Sequence, residues 1–239
     1  MSTQSPRSLV AIERSETLTE RVVAELRKAL IDGVFVPGQL IKIRDVARAV
    51  NVSPTPAREA LTILIAEGLL LTADINKSAM VPPLTADSLR EITEMRVSLE
   101  CLAATAALPK LTDGDIKALA ESHEAMMRAT DADDVAEILH SNAAFHYALY
   151  SKSGMPLLIK MIETVWLRSG AYLRTAYPAY GRLRKGLDNH TRIIRALKKR
   201  DQAALVQALE HDIRESSAHL LAQLAAHFAD DGRPARKAS

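Results

Sequence analysis

The sequence predicts a mostly α-helical protein, and three observations carry that expectation. Only 4% of its 239 residues are aromatic, a composition that with abundant Ala and Leu favours helices over sheets. From Leu84 onward apolar residues recur at helical period between short breakers, with no strand signal among them. Ahead of Leu84, three amphipathic helical patterns are followed by two short apolar runs around a polar segment. The expected architecture is an N-terminal winged helix-turn-helix over residues 10–82, an antiparallel bundle of six or seven helices over 83–228, and a disordered polar tail at 229–239.

Each element of the first part has a local cause. Thr17 and Glu20 have capping-box spacing, and Val22, Val23, Leu26 and Leu30 then recur at helical period until Gly33, which suits the position just past a helix end. Pro37-Gly38 marks a turn, and IKIRDVARAV reads as a short helix with Val46, Ala47 and Val50 inward. Asn51 ends it, because Asn tolerates the left-handed conformation of a tight turn. Ser53 is a good N-cap and Pro54 suits the first helical position; Ala57, Ala60, Leu61, Leu64 and Ile65 then form an apolar stripe. The opposite face presents Thr55, Arg58, Glu59 and Thr62 at the end that a helix-turn-helix pushes into the major groove. LLLT and SAMV around ADINK read as a small hairpin, the wing.

The second part reads as helices over roughly 86–107, 112–129, 132–150, 155–177, 182–199 and 202–228, punctuated at Pro109, Gly114, Gly154, Pro178 and Gly181. Charge gives no bulk argument for nucleic acid: the net charge is +2, and residues 1–82 carry ten Lys/Arg against nine Asp/Glu. The single Cys101 cannot form an internal disulfide, and its amphipathic setting reads as a core thiol in a reducing compartment. The first residues lack the apolar run of a signal peptide and no stretch has the length of a spanning segment, so a cytoplasmic protein without membrane partners is expected.

The segment Ser53, Thr55, Pro56, Arg58, Glu59, Ala60, Leu61, within DGVFVPGQLIKIRDVARAVNVSPTPAREALTILIAEGLLL, resembles the DNA-binding domain of the GntR family. The resemblance implies that Arg44 and Arg58 approach bases or phosphates, that Ser53 and Thr55 contact the DNA backbone, and that Lys77 at the wing tip enters the minor groove. An arginine fork suits this work because it binds guanine O6 and N7 bidentately. Pro54 stands where the family often has Arg, and the wing reads Asn76-Lys77-Ser78 where Gly is common.

EITEMRVSLE, NAAFHYAL and DNHTRIIRALKKRDQAALVQALEHDI resemble, in order and spacing, the effector-binding domain called FCD of the FadR-like branch. That resemblance implies a divalent metal (zinc, nickel or manganese) held by Asn142, His146, His190 and Asp212, with an organic acid effector nearby. Independently, residues four apart share a helix face, so Asn142 and His146 can present an oxygen and a nitrogen to one point. Asn142 replaces the usual Asp, and Asp212 stands where the last His is expected, with His211 one position earlier. A metal-free polar pocket that hydrogen-bonds an effector directly is the competing reading.

Arg96 is a candidate for bidentate binding of the effector carboxylate, against a structural salt bridge to Glu100 or Asp212. The implied protein is a homodimeric transcription regulator that binds double-stranded operator DNA, a repressor being the expected sense. The alternative, a metal-dependent helical-bundle enzyme, rests on Glu137 and His140, one half of a di-iron motif whose second half does not occur.

Overall fold

In the computed structural model, the described residues are 16–74, 78–182 and 184–230, with side chains left aside at 171–182, 224 and 226–230. The head comprises α1 (Leu18–Ile31), β1 (Leu40–Lys42), α2 (Ile43–Ala49), α3 (Pro54–Ala66), β2 (Leu71–Asp74) and β3 (Ser78–Met80). The Thr17–Glu20 capping box forms as spaced, with the Thr17 hydroxyl accepting from Glu20 N–H and the Glu20 carboxylate accepting from Thr17 N–H. Gly33 takes φ +63 just beyond the helix, where its N–H and that of Val34 close the last turn on Leu30 and Ala29. Asn51 is left-handed at φ 53, as the α2–α3 turn requires.

One expectation is corrected here. The apolar run IKIRDVARAV is not one helix: Leu40–Lys42 is a strand that pairs antiparallel with β3, and the helix starts at Ile43. The sheet order is β1-β3-β2, with Leu71 opposite Met80 and an irregularity between Thr72 and Asp74. Three residues of β1 acquire strand geometry from a partner almost 40 positions away, which local periodicity does not register.

The second part holds α4 (Ala86–Ala107), a short 3-10 turn (Leu108–Lys110), α5 (Asp113–Asp131), α6 (Val135–Ser151), α7 (Pro156–Arg182), α8 (Lys185–Lys199) and α9 (Gln202–Asp230). The six helices fall close to the sequence-derived spans, but α7 runs on through Pro178 and Gly181 instead of ending before them. Proline deprives a helix of one hydrogen bond and clashes with the preceding turn; it does not oblige a long, packed helix to end. Residues 231–239, most of the expected tail, lie outside the described residues, and α9 extends to Asp230.

The core crosses the boundary between the two parts. Leu26, Leu30, Leu61, Leu64 and Leu70 of the head share one cluster with Leu89 and Ile92 of α4, Val165 and Leu167 of α7, and Leu220 of α9. A second cluster, centred on Phe145, Leu149, Tyr150, Ile162, Ile193 and Leu209, fills the bundle. The seam is tight where α7 meets α1. A Cβ on Gly170 would collide with the Leu30 carbonyl oxygen and lie 3.1 Å from Ile31 Cα and 3.2 Å from its carbonyl oxygen. Gly→Ala inside a helix ordinarily stabilises by about 1 kcal/mol. At Gly170 the backbone contact reverses the sign: Gly170→Ala is expected to destabilise by about 1–3 kcal/mol, read as a lowered urea midpoint.

Candidate DNA-reading surface and buried polar centre

α3 is held by its aliphatic side. Ala57, Ala60 and Leu64 are fully buried and Leu61 nearly so, packed against α1 and α2. Thr19 of α1 donates to the Glu59 carboxylate at 2.6 Å and fixes the roll of α3. Ser53 precedes the helix in extended conformation with Pro54 at its start, although its hydroxyl makes no capping bond, so it stays available to an outside partner. Thr55, Arg58 and Thr62 are exposed, and so is Arg44 on α2. Neither Arg44 nor Arg58 has an ion-pair partner among the described residues. Lys77, the wing-tip candidate, lies outside the described residues.

The bundle brings three of the four sequence-derived ligands together. His146 comes from α6, His190 from α8 and Asp212 from α9; all are buried, and one donor atom from each lies within 4.8 Å of the others. His146 Nε2 is 3.2 Å from His190 Nε2 and 3.3 Å from Asp212 Oδ2. Asn142 sits one turn before His146 on α6 and is half-buried. His211 faces away and is half-exposed, 3.8 Å from Glu215, as the roughly 100° step between neighbours on a helix requires.

Behind this triad lies a polar web that sequence reasoning found only in part. Glu100, wholly buried on α4, accepts from Arg96 Nε at 2.6 Å, Tyr150 Oη at 2.6 Å and Trp166 Nε1 at 2.9 Å. The Arg96 guanidinium also lies over the Trp166 ring, 4.6 Å from its centre. Burial opposes the Arg96 charge, but the adjacent Glu100 carboxylate outweighs it and holds the guanidinium above its ordinary pKa. Of the two salt-bridge partners weighed for Arg96, the structure pairs it with Glu100. Tyr150, whose hydroxyl burial and Glu100 push well above the usual range, had an available signal: it is four residues after His146, on the same face of α6.

The direction of the hydrogen bonds decides what the triad can hold. Tyr150 donates to Glu100, so its oxygen accepts from His146 Nδ1, 3.0 Å away. The other nitrogen, Nε2, faces His190 and Asp212: in the neutral ring it carries the lone pair a metal would take, and in the protonated ring it donates to Asp212. A hydrogen bond from the far ring nitrogen orients a metal-binding imidazole in this way. Burial, followed by the neighbouring His146, lowers the His190 pKa to about 3, so its ring is neutral and able to ligate. For Asp212, burial works against ionisation, but hydrogen bonding and charge from His146, with His190 and Arg96, hold the carboxyl below its ordinary range.

Arg96 pairs with Glu100, and Asp212 faces His146 across 3.3 Å. Donor separations of 3.2 and 3.3 Å approach the spacing of about 3.4 Å between tetrahedral ligands at zinc-nitrogen distances. The residues therefore fit a divalent cation. Glu137, by contrast, accepts from Ser141 at 2.7 Å and His140 is exposed, so no di-iron half-site forms there. Burial drives the Cys101 thiol up to about 11, which keeps it protonated and unreactive.

Comparison with known proteins matches residues 18–76 to the bacterial regulatory proteins of the gntR family and residues 91–215 to the FCD domain. The chain is 32% identical to the HTH-type transcriptional regulator McbR of Escherichia coli (strain K12), over 87% of this chain and 94% of that protein. It is 26% identical to the gluconate operon transcriptional repressor of Bacillus subtilis (strain 168), over 80% of each. The solved structure of E. coli McbR/YncC superimposes with a TM-score of 0.83 at 31% identity, covering 88% of this chain and all of that one.

Proposed function

From the premise that this chain belongs to the GntR family of bacterial regulatory proteins and carries their FCD domain, we propose that it is a cytoplasmic, homodimeric repressor released from its operator by a small organic acid. Its family and relatives are transcription regulators and not enzymes. No helix among the described residues is long and apolar enough to cross a membrane.

The observation that carries the reading is the exposed leading turn of α3. Arg58 projects there without an ion-pair partner among the described residues, beside Ser53 and Thr55 and with Arg44 on the preceding helix. Arg58 and Arg44 serve base edges or phosphates, Ser53 and Thr55 the sugar-phosphate backbone, and Lys77 the minor groove. Two heads in a dimer span half-sites of a pseudo-palindrome.

In the bundle, His146, His190 and Asp212, with Asn142 as a weaker fourth group, would hold a zinc, nickel or manganese ion. Such an ion would supply a Lewis-acidic anchor for a carboxylate, and Arg96 would add a second point of attachment. A relative named for the gluconate operon is in keeping with an organic-acid signal.

The route from this centre to the DNA is short. Glu100 ties the His146–Tyr150 chain to Trp166 on α7. The same helix abuts α1 at Gly170, and its Glu163 lies 3.5 Å from Arg27 of α1. A ligand that shifts α7 by its contacts with the centre therefore shifts the head, with a coupling free energy of the usual order of about 1–3 kcal/mol.

Arg58→Ala is expected to weaken operator binding by about 10–100-fold at fixed salt. The measurement is a mobility-shift titration on operator fragments selected from random DNA. An unchanged affinity in the folded variant would remove α3 as the reading helix.

A further inference from the structure

We propose that a cationic cavity between α8 and α9, on the outer side of the helix pair that supplies His190 and Asp212, binds a small ligand bearing a phosphate or pyrophosphate group. The cavity has a volume of about 380 Å³. Arg192, Arg195 and Lys199 line it from α8, and Gln207 and His211 from α9, over an alanine floor. The three cations stand at positions i, i+3 and i+7, which places them along one face of the helix.

Their lack of partners is the distinguishing observation. None of the three has an ion-pair or hydrogen-bond partner among the described residues. Two other cations of this helix and its C-terminal cap are engaged: Arg200 donates to the Leu108 and Leu111 carbonyls and to Asp113, and Lys185 pairs with Glu215. The lining acid, Asp201, accepts through Oδ1 from the Ala204 N–H and caps α9.

A favourable interaction with the helix dipole explains basic residues in the last turn of α8, Lys198 and Lys199. It does not explain Arg192 and Arg195, which precede that turn, because the dipole's effect fades within one turn. Like charges three and four apart on a helix repel, so the row is unfavourable without a counter-charge. A concave site lined by one sign of charge also concentrates anions.

Two guanidinium forks and an ammonium offer more donors than one carboxylate can use; a phosphate, with three peripheral oxygens and up to two charges, matches them. The floor explains the cavity itself: Ala196, Ala204 and Ala208 leave a notch beneath the long basic side chains. Arg192 follows His190 by two residues and so points about 200° away from it, and His211 adjoins Asp212. A ligand bridging α8 and α9 from outside therefore grips the helices that carry two members of the buried triad, without entering the triad.

The test is calorimetric titration of the full-length protein with sodium pyrophosphate, inorganic phosphate, sulfate and citrate at constant ionic strength. Pyrophosphate is expected to bind at one site per chain, with an affinity reduced at least tenfold in Arg195→Gln and lost in Arg192→Gln/Arg195→Gln/Lys199→Gln. Lys198→Gln, an exposed cation outside the cavity, should stay within twofold of the parent. These exposed substitutions leave the core intact, and the far-ultraviolet spectrum checks it.

Equal pyrophosphate binding by the triple variant overturns the proposal. So does an affinity no greater for pyrophosphate than for sulfate, which identifies a non-specific counter-ion surface. Citrate binding tighter than both phosphates would assign the cavity to polycarboxylates. Loss of DNA binding in the triple variant, with no pyrophosphate bound by the parent, would make it a DNA contact instead. Loss of operator binding in Arg58→Ala bears on the reading helix alone and leaves this result unaffected.

Discussion

Glu100→Ala is expected to lower stability by about 3–5 kcal/mol, the cost typical of stripping one partner from a buried ion pair. For a chain of this size that corresponds to a fall in Tm on the order of 10 °C. The magnitude follows from what is left behind. Arg96 is only 7% exposed and its Nε bonds to Glu100, so removing the carboxylate strands a positive charge among apolar neighbours. The Tyr150 hydroxyl and the Trp166 indole N–H lose their acceptor in the same step. Replacing both ions, Arg96→Met with Glu100→Leu, should recover part of the loss, because an apolar pair of similar volume needs no counter-charge. Recovery stays incomplete, since the tyrosine and tryptophan donors still lack an acceptor at a typical cost of about 1–3 kcal/mol each. Calorimetric unfolding of the parent, single and double variants checks the ordering. A single variant within 1 kcal/mol of the parent, by the same unfolding criterion, would show that water or a neighbour replaces Glu100 in the web.

The difference between what local sequence reveals and what packing adds is visible in individual residues. Thr17 with Glu20, Asn51 in its left-handed turn and the stripe from Ala57 to Leu64 are legible because each is a local device, decided within one or two helical turns. The strand Leu40–Lys42 is not, because its geometry comes from pairing with residues 78–80. The shared core of head and bundle is hidden for a related reason. Val165, Leu167 and Leu220 belong to apolar stripes like any other, and nothing in a stripe says which helix will cover it. His146, His190 and Asp212 could be named from spacing on a family pattern, yet their distances and protonation depend on three helices meeting. The web behind them was legible only as pairs four apart, Arg96 with Glu100 and His146 with Tyr150. That both pairs converge on one carboxylate is a property of the packed bundle.

Metal dependence is the larger test of the buried centre. With ion at about 1,000 times its Kd, mass action is expected to add about 4 kcal/mol to apparent stability, and a chelator should remove that increment. His146→Ala should abolish it, lowering affinity by more than the roughly 10–100-fold that loss of a group hydrogen-bonded to a ligand costs. Tyr150→Phe should fall within that smaller range, because it removes the acceptor that orients His146 and one donor to Glu100 but no ligand. Asn142 provides the sharper discrimination. If its amide oxygen completes the set from one turn before His146, Asn142→Asp exchanges a neutral ligand for a carboxylate and should raise affinity tenfold or more. Competition titration against a chromophoric chelator separates these outcomes. Ion binding that survives His146→Ala would remove the coordination reading and leave Asp212 and the two imidazoles as a polar pocket that meets the effector directly. Affinity unchanged in Asn142→Asp alone would confine the site to His146, His190 and Asp212. That result leaves open positions for the oxygens of an organic acid, and it would make effector affinity depend on the ion.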